Sequence, residues 1–164
     1  MAIDRADWHW DSTEKQNRTT HGVKGELTEE QYNEIWLLAA NHIGLFLQWV
    51  IDKGFEGEEA DPEGCEKVRK GEMTGTEYLL AYCDGKLWDD DIREDVLPFV
   101  KRYYGQSEDK DNGQDVTGDY LGDYVDCCCS DTEHKPVYGV ISGSEDYAKI
   151  KVLIEEAFAR FQNQ

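Results

Sequence analysis

Positive charge is what this sequence has least of. Its 17 Lys and Arg stand against 36 Asp and Glu, for a formal net charge of −19. A surface of that sign repels phosphates and anionic lipid, so direct binding to nucleic acid or membrane is not expected. No apolar run approaches the length that spans a bilayer. The start, Met1-Ala2-Ile3-Asp4-Arg5-Ala6-Asp7-Trp8, has neither the basic nor the apolar stretch of a secretory signal; the expected compartment is the cytoplasm. The five cysteines are odd in number, and Cys127, Cys128 and Cys129 are consecutive, which does not suit a framework of paired disulfides. Also missing are a Gly-x-Ser-x-Gly elbow, a phosphate-cradling glycine loop and a His-Glu-x-x-His pair. Nucleophilic catalysis therefore has no signature, no cofactor is implied, and a binding role is expected ahead of an enzymatic one.

What is present argues for a packed core. Hydrophobic residues make up 39% of the 164, with five Trp, nine Tyr and five Phe, a composition that disordered chains do not have. The length fits one domain, and the periodicities predict a mainly α fold (α+β at most). Residues 1–27 lack a sustained period and read as an irregular arm pinned by Trp8 and Trp10. A helical core occupies 28–105. Thr28-Glu29-Glu30-Gln31 is a capping box opening a long helix to about Lys53, with Gly54 as its stop. Ile35, Leu38, Ala39, His42, Leu45, Phe46, Trp49 and Val50 recur along it at helical spacing. Trp36, Ile43, Leu47 and Ile51 fill the other faces, the mark of a helix surrounded by protein. Asp61-Pro62 starts a short helix ending near Lys70-Gly71. Thr74-Gly75-Thr76-Glu77 caps another, closed by Gly85. Asp89-Asp90-Asp91 suits the start of a further helix, which Pro98 is expected to kink or split. Residues 106–132 form an acidic segment. Residues 136–164 supply a short β element near 136–142 and a closing helix with Tyr147, Ile150, Ile154, Ala157, Phe158 and Phe161 on one face.

The acidic segment draws the functional expectation. It carries eight carboxylates against the lone Lys110 over 107–132, and Asp111, Asp115, Asp119 and Asp123 fall four residues apart. On a helix they form one stripe, each like-charged pair costing roughly 0.2–0.5 kcal/mol. With Tyr120, Tyr124 and Asp126 the stripe reads as a docking face for a basic protein, the tyrosines serving as amphipathic anchors. The competing reading is a solvated segment with its tyrosines turned inward. A calcium loop fails: with Gly113 at the sixth position, Lys110 falls where a carboxylate is needed. Cys127–Cys129 with His134 is a poor zinc set, because three adjacent thiols do not converge easily on one ion; no metal is expected. His42, amid apolar residues, reads as a hydrogen-bonded core histidine. His9, between Trp8 and Trp10 and near Asp7 and Asp11, is the better candidate for binding or catalysis.

Two segments resemble a known family. Asp4-Arg5-Ala6-Asp7-Trp8-His9-Trp10 and Ala40-Asn41-His42-Ile43-Gly44-Leu45-Phe46-Leu47-Gln48-Trp49 are similar to the opening and central helix of a family of uncharacterised bacterial proteins. Asn41 stands where that family often has Thr. Thr74-Gly75-Thr76-Glu77-Tyr78 and Trp88-Asp89-Asp90-Asp91 fit as well, so the likeness covers roughly residues 1–105. The resemblance implies that Asp7, Trp8, His9, His42 and Trp49 are structurally coupled, the arm packing beside the central helix. By class and charge the chain looks like an immunity protein, one that binds and neutralises a cognate toxin of basic character. A nucleic-acid mimic, or a metal protein or enzyme using His9 or the Cys127–Cys129 cluster, are the alternatives.

Overall fold

The computed structural model describes residues 1–105, 117–129, 138 and 144–164. Strand β1 (Ala2–Arg5) runs into a 3-10 turn (Ala6–His9) and helix α1 (Trp10–His21). Helices α2 (Glu29–Asp52), α3 (Pro62–Arg69) and α4 (Gly75–Tyr82) come next. Strand β2 (Lys86–Trp88) leads through a second 3-10 turn (Asp89–Asp91) to α5 (Leu97–Tyr103), α6 (Tyr120–Cys128) and α7 (Ser144–Gln162). Among the described residues the fold is mainly α with one two-stranded antiparallel sheet.

Helix α2 is the axis. The Thr28 side chain accepts from the Gln31 N–H while Gln31 accepts from the Thr28 N–H, and Gly54 at φ 71° ends the helix. Every residue from Leu38 to Leu47 is buried. By length and composition alone α2 could cross a membrane, more nearly than its interrupted apolar runs suggest, but its apolar window is 78% buried inside the protein. The other elements use that surface as core. Trp49 is enclosed by Phe46, Phe55, Phe99 and Phe158 at ring distances of 5.5–5.8 Å, which docks α5 and α7 onto α2.

Helix α4 crosses α2 at bare backbone. A Cβ on Gly44 would lie 2.4 Å from the Thr76 Cα, and one on Gly75 would lie 2.1 Å from the Gly44 carbonyl oxygen. One turn to either side, Gln48 accepts from the Gly75 N–H at 3.0 Å and Asn41 accepts from the Thr76 hydroxyl at 3.1 Å. The start of α4 thus finds on α2 an acceptor for a donor that its own helix leaves orphaned.

Two expectations are corrected. Residues 1–27 are not an irregular arm: they hold a strand, a 3-10 turn and a 12-residue helix. The strand's partner lies more than eighty residues away, and α1 is polar apart from Trp10, which packs on Tyr32 and Trp36 at 4.9 and 4.6 Å. Neither cue is local. Pro98 does not kink a helix: it lies in the first turn of α5, where its missing N–H is harmless, and the acidic triplet forms a separate 3-10 turn. The β element expected near 136–142 lies outside the described residues apart from Tyr138.

Candidate functional site

Four elements bring polar side chains to one buried point. The β1–β2 register pairs Ala2 with Trp88 and Asp4 with Leu87, so β1 carries an irregularity between Ala2 and Asp4. Such bulges re-aim a side chain, and Ala2, Ile3 and Asp4 are buried in succession where strict alternation would expose one. The Asp4 carboxylate accepts from His9 Nε2 at 2.7 Å and the Arg5 N–H at 2.8 Å on Oδ1. On Oδ2 it accepts from His42 Nε2 at 3.1 Å and the Tyr104 hydroxyl at 2.8 Å. His9 comes from the 3-10 turn, His42 from mid-α2, and Tyr104 caps α5. The two imidazoles meet edge to face, centroids 4.5 Å apart, and His9 Nδ1 lies 2.8 Å from the Tyr138 hydroxyl.

The electrostatics follow from burial and these bonds. Burial pushes the Asp4 carboxyl up, but the hydrogen bonds from His42 and His9 outweigh it and hold the group well below the usual carboxylate range. His42 goes the other way. Burial lowers its pKa and Asp4 only partly restores it, so the ring is neutral and donates its Nε2–H to Asp4. Its Nδ1 is buried with no hydrogen-bond partner among the described residues. Burial raises the Tyr104 hydroxyl far above its ordinary value, which leaves it a donor. His42 is sealed in, while the His9 side chain keeps 21% exposure.

A second feature lies on the surface. Gly57 N–H donates to the Asp91 carbonyl at 2.9 Å and Arg93 N–H to the Phe55 carbonyl at 2.8 Å, and this short bridge joins two acidic loops around an open groove of about 910 Å³. Glu58, Glu59, Asp89, Asp90, Glu94 and Asp95 line it, with Arg93 the one basic residue of its lining among the described residues. Arg93 is held on Asp95, and Lys101 reaches Asp89 at 3.1 Å.

A family model matches residues 2–140. The chain belongs to the family described as a domain of unknown function, DUF7832. No curated protein and no solved structure matches. The DUF7832 span takes in Asp4, His9, His42 and the whole acidic groove, and stops short of α7.

The expected site residues of this DUF7832 chain scatter. Asp111 and Asp115 lie outside the described residues. Asp119 caps α6, accepting from the Gly122 N–H at 3.1 Å, and Asp123 accepts from the Tyr103 hydroxyl at 2.6 Å. Tyr120 and Tyr124 are fully buried beside Phe46 and His42. They are core residues, not anchors for a partner: α6 turns its tyrosines inward because apolar rings gain more in the core than at the surface. Asp126 is exposed. Of the five motif residues, His9 and His42 converge on Asp4. Trp49 is core. Asp7 pairs with Arg5 on the surface, and Trp8 is 58% exposed beneath the Arg5 guanidinium. Asp4 itself carried no signal as a site residue, since nothing local marks a strand carboxylate for burial.

Among the described residues no cysteine joins a trio of metal-ligating groups, although the Cys127 and Cys128 thiols meet. Cys127 and Cys128 are successive in the last turn of α6, about 100° apart around the axis, and His134 lies outside the described residues. Burial, with the Asp91 charge, pushes the Cys83 thiol up to about 12, and burial raises Cys65 as well. Since the thiolate is the reactive form, iodoacetamide at pH 8 is expected to label Cys83 on the order of a thousandfold more slowly in the folded protein than in urea. Mass-resolved labelling checks this; equal rates would mean that the half-buried Cys83 thiol is not raised in the folded chain.

Proposed function

We propose that this chain is an acidic protein-binding module of the cytoplasm that docks on a basic protein and blocks it, in the manner of an immunity protein neutralising a cognate toxin. The observation that carries the reading is the groove between 57–59 and 89–97. It is concave, its lining has a formal charge of −5, and its single arginine is already engaged by Asp95. Carboxylates so arranged steer a cationic partner at long range and select against acidic ones. The face differs from the stripe at 111–126, whose tyrosines serve the core.

The test is affinity capture of the tagged chain from cells that naturally contain it, washed at low and high salt, beside the variant Glu58→Gln/Glu59→Gln/Asp90→Asn/Glu94→Gln. One basic partner is expected, with association slowed at least about tenfold by the variant and by salt. A partner retained equally by the variant would place binding elsewhere. Several partners displaced by DNA would make the chain a nucleic-acid mimic instead.

A further inference from the structure

We propose that Asp4, His9 and His42 form a binding site for a divalent first-row transition-metal ion of the zinc class, separate from the acidic groove. Their three ligand atoms lie within 4.8 Å of one another, and among the described residues no other such trio of His, Cys, Asp or Glu forms. Asp4 Oδ1 stands 2.7 Å from His9 Nε2, and Asp4 Oδ2 stands 3.1 Å from His42 Nε2. Tetrahedral ligands around an ion with bonds of about 2.1 Å are separated by about 3.4 Å. An outward shift of several tenths of an ångström therefore brings the three side chains to the spacing of a coordination sphere.

The donor set selects the ion. Two imidazole nitrogens and one carboxylate oxygen suit zinc and its neighbours, whereas magnesium and calcium take oxygen cages. The chain's many surface carboxylates offer only the latter chemistry. The supports that orient metal ligands are also in place. The Arg5 N–H and the Tyr104 hydroxyl hold the two Asp4 oxygens, and the Tyr138 hydroxyl holds the far nitrogen of His9.

Proton balance works without an external base. In the metal-free protein His9 and His42 each donate an Nε2–H to the Asp4 carboxylate. To ligate, each ring must offer its Nε2 lone pair and carry its proton on Nδ1. At His9 the Tyr138 hydroxyl serves either tautomer, donating to a bare Nδ1 and accepting from a protonated one. At His42 the proton leaves its bond to Asp4 Oδ2 for Nδ1, which is buried and without a hydrogen-bond partner among the described residues, so the bond from Nε2 to the metal must offset the hydrogen bond that is lost. The partial exposure of His9 gives the ion its way in, and three protein ligands leave at least one position for water or another ligand, as in open zinc sites.

The test uses the full chain stripped with chelator, then titrated with Zn²⁺ and, separately, Co²⁺. Expected are one ion per chain, a rise in the unfolding temperature that scales with metal concentration, and cobalt ligand-field bands without thiolate charge-transfer absorption. His9→Gln is expected to weaken binding at least about a hundredfold and Tyr138→Phe about ten- to a hundredfold. Cys127→Ser/Cys128→Ser and the four-carboxylate groove variant should bind as the parent does. Weak multisite uptake displaced by Mg²⁺ would overturn the proposal, as would a thiolate band or unchanged affinity in folded His9→Gln. The cobalt spectrum of the parent decides the matter even if His9→Gln does not fold. Loss of partner capture with metal binding intact, or the reverse, separates this site from the docking groove.

Discussion

Gly44→Ala is expected to destabilise the protein by about 3 kcal/mol, the upper end of what an extra methyl costs in a filled interior. In a domain of this size that lowers the unfolding temperature by about 10 °C. Two effects oppose each other. Alanine is the better helix former by roughly 1 kcal/mol in mid-helix, which alone would stabilise α2. Against it stands the new methyl, 2.4 Å from the Thr76 Cα and 2.5 Å from its backbone nitrogen. Those are main-chain atoms, so relief requires α4 to lift off α2 and lose its bonds to Gln48 and Asn41. The clash wins. Gly71→Ala is the control: its Cβ meets nothing within 4 Å at φ 75°, so only the left-handed backbone penalty of roughly 1–2 kcal/mol applies. A Gly44→Ala protein as stable as the parent in thermal melts would show that the α2–α4 crossing has room for a methyl.

Asp4→Ala carries the second large effect, about 4 kcal/mol when measured in chelator. The carboxylate is the acceptor for the buried His42 Nε2–H and Tyr104 hydroxyl, and for the Arg5 N–H and His9. Each buried donor left without an acceptor costs about 1–3 kcal/mol. The His42 and Tyr104 donors have no water to turn to, whereas His9 has some. Asp4→Asn keeps the shape and one acceptor oxygen and is expected to fall between parent and alanine variant. Urea melts giving the order parent, Asn, Ala in falling stability would support the network; an alanine variant equal to the parent would show that Asp4 does not organise this cluster.

These two substitutions fall within the residues that the family model matches, and the fold shows what two segments of that span do together. Asn41-His42-Ile43-Gly44 and Thr74-Gly75-Thr76-Glu77 are two sides of one contact: Gly44 and Gly75 let the backbones touch, and Asn41 receives the Thr76 hydroxyl. The Asp4–His9 stretch reaches the same helix one face over through His42. Coupling of the N-terminal segment to the central helix thus runs through Asp4 and through Trp10 on Tyr32 and Trp36, and Asp7 and Trp8 stay at the surface.

What the sequence determined by itself was local. The capping residues Thr28, Asp61 and Thr74 each accept from the backbone N–H three residues on, because a cap is written within four consecutive residues. Gly54, Gly71, Gly85 and Gly105 end elements at positive φ, since an L side chain is strained there. The all-round apolar pattern of α2 was enough to mark it as central, because only a helix enclosed by protein can bury every face. Tertiary structure decided everything that depends on distant partners. β1 exists because β2 pairs with it, α1 because Trp10 finds Tyr32 and Trp36, and Tyr120 and Tyr124 turn inward because Phe46 and His42 are there to meet them. The candidate site is the extreme case. Asp4 and His42 are thirty-eight residues apart, and a bulge set by the β1–β2 register aims the one at the other; no local pattern encodes a register, so neighbouring residues alone could not have joined them.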